Sequence, residues 1–171
     1  MGLFRGRDDE PHQKFQMREK MIAIGDDYWI ETESGDKVFK VNGKALRIRD
    51  TWKLEDTRGA TVAEIQEKKL SVRDKIKIEL PGGRSASVKK AMIGIRDRFH
   101  VEVNDGPDMK VHGNIVDHEY EIERDGHKIA EISKKWFRIR DTYGVEIWDT
   151  KETVLVLAIT VAVDALAHDL L

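Results

Sequence analysis

Along most of this chain apolar and polar residues alternate one for one, and the alternation recurs in repeats anchored on aspartate. Asp26, Asp50, Asp74, Asp97, Asp117 and Asp141 follow one another at intervals of 20 to 24 residues. Two residues before each stands an aliphatic: Ile24, Ile48, Val72, Ile95, Ile115 and Ile139. Two residues after come Tyr28, Trp52, Ile76, Phe99 and Tyr143, and four after come Ile30, Leu54, Ile78, Val101 and Val145. The fifth copy is looser, with Tyr120 and Ile122 each displaced by one residue. Nine residues beyond the first five aspartates lies a glycine: Gly35, Gly59, Gly83, Gly106 and Gly126. Apolar residues at every second position share one face only in an extended strand. Each copy therefore predicts two strands joined at the aspartate, since turns accept Asp readily and an unpaired carboxylate is costly inside a sheet. The glycines supply the next turn, where other residues are strained. Asn42-Gly43 aligns with Gln66-Glu67 and Ser133-Lys134, which points to a bulge there.

The alternation stops near Thr150, the sixth copy's counterpart of the glycines. From Val154 to Val163 only Thr160 carries a polar side-chain atom. That run is too long for a strand and apolar on every side, so it predicts a helix enclosed by the rest of the molecule, over about 152–169. Asp164, His168 and Asp169 interrupt it before the roughly 20 apolar residues of a lipid span, which favours a core helix over a tail anchor. Asp149 and Glu152 have the spacing of a capping box at its start. Six strand pairs give about twelve antiparallel strands, and a sheet of that size rarely stays open. Closing it removes the edges and leaves an interior that must be filled. The expected fold is all-β with a central helix: a closed antiparallel barrel of about twelve strands enclosing a C-terminal hydrophobic helix.

Composition narrows the function classes. The chain has 171 residues, enough for one domain, with residues 1–16 expected to form a loose polar leader and 17–171 the domain. Gly6 stands where a myristoylation signal needs Ser or Thr. With no cysteine there is no disulfide, thiolate metal site or cysteine nucleophile. The first thirty residues hold no apolar signal segment, so the expected location is cytoplasmic, with peripheral contact to a membrane. Thirty basic against 32 acidic residues lack the electrostatic footprint of a nucleic-acid binder. The expected state is a monomer without a transmembrane segment.

Two strings carry a resemblance: Trp136-Phe137-Arg138-Ile139-Arg140-Asp141-Thr142-Tyr143-Gly144-Val145 and Gly113-Asn114-Ile115-Val116-Asp117-His118-Glu119-Tyr120. Together with the closing apolar helix they resemble the LURP-one-related family of tubby-like proteins, over roughly 17–169. The resemblance implies a twelve-stranded barrel around a C-terminal helix, in agreement with the periodicity. It implies little about activity: plant members are associated with defence, and distant tubby and phospholipid scramblase relatives act at membranes through phosphoinositide or calcium binding. No residue set here matches those lipid or calcium sites, so none is carried over. In particular, Asp141, Glu146, Asp149 and Glu152 lack the spacing of oxygen ligands in a calcium loop.

The candidate chemistry is sparse. A lysine stands six or seven residues before each repeat aspartate: Lys20, Lys44, Lys68, Lys90, Lys110 and Lys135. Around a barrel these form a cationic band, helped by Lys69, Lys89, Lys134, Arg138 and Arg140, for phosphate headgroups or an acidic protein. The bland reading is that the lysines solvate strands and block aggregation. The segment with fewest interleaved acids, Lys134, Lys135, Arg138 and Arg140, is the candidate anionic-ligand surface. The repeat aspartates read as turn residues rather than a catalytic ring. His112 and His118, with Asp117 and Glu119, form the densest metal-like cluster, but the spacing is weak and surface histidines are expected. No nucleotide, nucleophile-elbow or cofactor pattern is present, so no catalytic residue, metal or cofactor is assigned. A non-enzymatic binding module is the first reading. A small-ligand carrier or enzyme with a pocket between barrel and helix is the alternative.

Overall fold

A computed structural model describes residues 12–18, 27–43, 51–69, 74–90, 98–136 and 141–168. The first six strands are β1 (Gln13–Arg18), β2 (Tyr28–Thr32), β3 (Lys37–Asn42), β4 (Thr51–Asp56), β5 (Thr61–Lys69) and β6 (Asp74–Glu79). The next six are β7 (Ser85–Lys90), β8 (Arg98–Val103), β9 (Met109–Asn114), β10 (Glu119–Arg124), β11 (His127–Ser133) and β12 (Thr142–Ile147). A single 3-10 turn, Thr150–Glu152, leads into the helix α1 (Thr153–His168). Each strand pairs antiparallel with its sequence neighbours, and β1 pairs with β12, so the sheet closes into a twelve-stranded barrel with α1 inside.

The positions that the two-residue period singled out after each aspartate face inward, while Ile24, Ile48, Val72, Ile95 and Ile139 before them lie outside the described residues. Tyr28, Trp52, Ile76, Phe99, Tyr120 and Tyr143 are buried, as are Ile30, Leu54, Ile78, Val101, Ile122 and Val145. They meet a helix whose Val156, Leu157, Ala158, Ile159, Val161, Ala162 and Val163 are wholly closed to water. Each such leucine or isoleucine contributes about 1.5–3 kcal/mol through burial.

The aspartate turns are described in part. Asp117 lies in the turn between Asn114 and Glu119, where its carboxylate accepts from the Asn114 amide at 2.7 Å. Asp141 precedes β12 in the left-handed region, at φ 59°. Asp74 is the first residue of β6, while Asp26, Asp50 and Asp97 lie outside the described residues. The bulges differ from expectation. β5 keeps its register with β6 through Gln66 and Glu67, and the irregularities fall at Ile30/Glu31, Leu54/Glu55 and Ile122/Glu123. Each leaves one extra residue on the partner strand, Val38, Val62 or Ile129. All three are apolar and pack on the core, a sufficient reason to fold the surplus residue inward.

The expected capping box does not form. Asp149 makes no side-chain cap; its carboxylate accepts instead from Arg124, and Glu152 binds Arg84 at 2.9 Å. Two arginines from distant strands and turns therefore hold the entry of α1, and charge pairing outcompetes local capping.

Leu157→Ala should cost about 2–5 kcal/mol in denaturant unfolding, because the filled barrel cannot collapse around the lost volume. Gly113, at φ 135°, leaves no room for a side chain: a Cβ would meet the Glu119 carbonyl oxygen and the Tyr120 Cα at 2.7 Å. Gly113→Ala should therefore cost about 2–4 kcal/mol by the same measurement, and an unchanged midpoint would contradict the close approach.

Candidate functional site

Among the described residues, a buried polar cluster in the barrel interior is set around Asp164 near the end of α1. Asp164 is 8% exposed, and a buried carboxylate is costly unless it is hydrogen-bonded. The Tyr143 hydroxyl donates to one of its oxygens, and His118 Nε2 stands 3.1 Å from the other. The His118 ring stacks on Tyr143 at 4.3 Å between centroids. Tyr28 and Tyr120 complete the cluster, with buried hydroxyls that feel the charge of Asp164. All three tyrosines are pushed well above their ordinary value of 10.0, first by burial and then by the charge of Asp164. The cluster is enclosed by protein and fastens the helix to the wall.

His118 corrects the surface reading. It sits at φ 52° in the β9–β10 turn, 8% exposed and aimed inward at α1. His112 points outward and pairs with Glu123 at 2.8 Å, so the two histidines face opposite sides of the wall. Among the described residues, those that could hold a metal are therefore His112, Glu121 and Glu123, with ligand atoms within 4.8 Å of one another, and not His118, Asp117 and Glu119. A cation there would have to displace the His112–Glu123 contact and the Lys128 ammonium, 3.6 Å from Glu121.

A groove of about 540 Å³ lies where α1 enters the barrel. Phe15, Val38, Phe39 and Val154 contribute apolar walls, and Lys14, Thr32, Thr150 and Thr153 contribute polar groups. It follows the thinnest seam of the wall, since β1 and β2 pair at only two positions while β1 and β12 pair at six. Its lining contains neither His nor Asp.

On the candidate anionic-ligand surface, Lys134 is half-buried and Lys135 exposed at the end of β11. The Glu119 carboxylate accepts from the Lys134 backbone amide at 3.1 Å, and the Lys14 ammonium stands 5.8 Å from the Trp136 ring centre. Arg138 and Arg140 lie outside the described residues, as do Lys20 and Lys44 of the wider band. The rest of that band is not a level ring. Lys110 is the second residue of β9, near the glycine-turn end, while Lys68 and Lys90 lie at the far ends of β5 and β7.

The family model described as LURP-one-related matches residues 13–164, which takes in every strand and most of α1. The chain belongs to the LURP-one-related family. Among solved structures, an Arabidopsis thaliana protein determined by X-ray crystallography is similar with a TM-score of 0.64. The match covers 98% of this chain and 99% of that one at 13% identity, a likeness of fold alone. Among curated proteins none matches by sequence. Within this LURP-one-related barrel the Asp164 cluster escaped sequence reasoning, although a signal was there. Tyrosine stands two residues after the aspartate in the first and sixth repeats and three after it in the fifth, and the strands β2, β10 and β12 that carry them lie on one side of the wall.

The cluster makes the protein alkali-sensitive in a defined direction. The folded state holds three tyrosine protons that the unfolded chain loses above pH 10, so their contribution is complete below pH 10 and is lost as pH rises beyond it. With all three engaged, the unfolding free energy should fall by about 4 kcal/mol per pH unit. Tyr143→Phe should reduce that slope by about a third. Denaturant titrations from pH 9 to 11.5 measure it, and an unchanged slope in the variant would place Tyr143 outside the coupling.

Proposed function

We propose that this chain is a non-enzymatic binding module that docks anionic lipid headgroups, or the acidic surface of a protein, through basic groups at the end of β11. The observation that carries the reading is the filling of the barrel: α1 occupies the interior with side chains fully closed to water, so recognition falls to the outer surface. There Lys135 is exposed beside Lys134, with Lys14 against the ring of Trp136, and Arg138 and Arg140 follow in sequence. An indole beside several cations suits a headgroup boundary, where each Lys or Arg contributes about 1 kcal/mol of attraction that fades within a Debye length.

Sedimentation with vesicles containing anionic lipid should show weak binding that disappears as salt is raised. Replacing Lys134, Lys135, Arg138 and Arg140 together by Glu should abolish it. A wild-type protein that leaves such vesicles unbound at low salt removes the lipid reading and leaves the acidic-protein one. The groove beside Phe15 and Phe39 favours a second reading, the carriage of a small amphipathic ligand, to which a thermal-shift screen responds and vesicle binding does not.

A further inference from the structure

The strand registers bring together cations that are far apart in sequence. On the outer face, Lys68 of β5 stands directly opposite Lys75 of β6, and Lys75 directly opposite Lys89 of β7. The same row continues to His100 of β8 and Lys110 of β9. Neighbouring strands lie about 4.8 Å apart, so five bases run along a line of roughly 19 Å. Lys89 is paired with Glu102 at 3.2 Å and His100 with Asp108 at 3.2 Å. Among the described residues no carboxylate forms an ion pair with Lys68, Lys75 or Lys110. Glu123, opposite Lys110, is engaged by His112. The other acids on this face, Glu64 and Glu79, stand opposite each other nearer the glycine-turn end.

Like charges directly opposite in a sheet repel, at a separation too short for salt to screen fully. A row of them is a standing cost that a multivalent anion would relieve. We propose that this row binds a flexible linear polyanion of the inorganic polyphosphate type. Its curvature selects the occupant. From β5 to β9 the row crosses four of the twelve steps around the barrel, about a third of the circumference, so a flat membrane cannot meet all of its members at once. A flexible chain follows the wall and meets all five. Single-stranded nucleic acid fits less well, because the outward residues of these strands include no Trp, Tyr or Phe on which bases would stack.

The test uses the whole chain and fluorescently labelled inorganic polyphosphate, read by anisotropy across a salt series, with single-stranded DNA and anionic vesicles as parallel arms. Wild type should bind polyphosphate at low salt. Lys68→Gln with Lys75→Gln should weaken binding at least tenfold and lower the slope of log affinity against log salt by about 1 per lysine. Lys134→Gln with Lys135→Gln should leave polyphosphate binding unchanged, which separates this row from the lipid reading. Without ligand, Lys75→Gln should raise the melting temperature by about 1–3 °C at low salt, because it removes a repulsion. No binding by wild type at low salt, equal losses in the two double variants, tighter binding to DNA or vesicles through Lys68 and Lys75, or a lowered melting temperature for Lys75→Gln would each overturn the proposal.

Discussion

A helix whose Val156, Leu157, Ile159, Val161, Ala162 and Val163 are all shut away from water has no polar side to turn to solvent, so it needs a wall around its whole circumference. The barrel is that wall, and it needs the helix equally. Twelve strands enclose too wide a space for their own side chains to fill, and without α1 the inward faces of β5, β6, β7 and β12 would line a void. Neither part buries its apolar face without the other. The repeat supplies one apolar face per strand, and α1 gives all of those faces a common target.

This mutual dependence explains where polar groups are tolerated inside. Asp164 lies near the end of α1, where the β9–β10 turn and the tyrosines of β2, β10 and β12 can reach it. Tyr143 and His118 bind its two oxygens from different parts of the wall, which fixes the rotation of the helix as well as its depth. At the other end Arg84 and Arg124 do the same for Glu152 and Asp149. Apolar contacts hold α1 in the barrel without regard to its rotation, and the directional contacts at both ends supply that missing specificity.

The architecture was legible because it rests on periodicity, a property of local sequence. Alternation after each aspartate showed which residues face inward, and the apolar run from Val154 named the filling. The parts that were not legible depend on pairings across the fold. Asp149 and Glu152 have capping-box spacing, yet arginines brought from β10 and the β6–β7 turn engage them. His112 and His118 look like one cluster until the pleat and a left-handed turn send them to opposite sides of the wall. The lysines before each aspartate suggested a band, but the observed row joins Lys68 and Lys110 with Lys75 and Lys89, a consequence of strand register rather than of the repeat.

The closing pair of the barrel, β1 with β12, joins residues more than a hundred positions apart, and the helix follows β12 in the chain. On a ribosome, therefore, every apolar strand face is made before its burial partner exists. Local hairpins can form early, but the core cannot condense until α1 has emerged. Loop-closure entropy makes such late, long-range contacts slow to form. During synthesis the nascent chain is a train of half-finished hairpins with sticky inner faces, the kind of species that associates wrongly unless it is sheltered. Charged residues spaced along the outer faces, the lysine row among them, are then a protection during manufacture as well as a surface of the finished molecule.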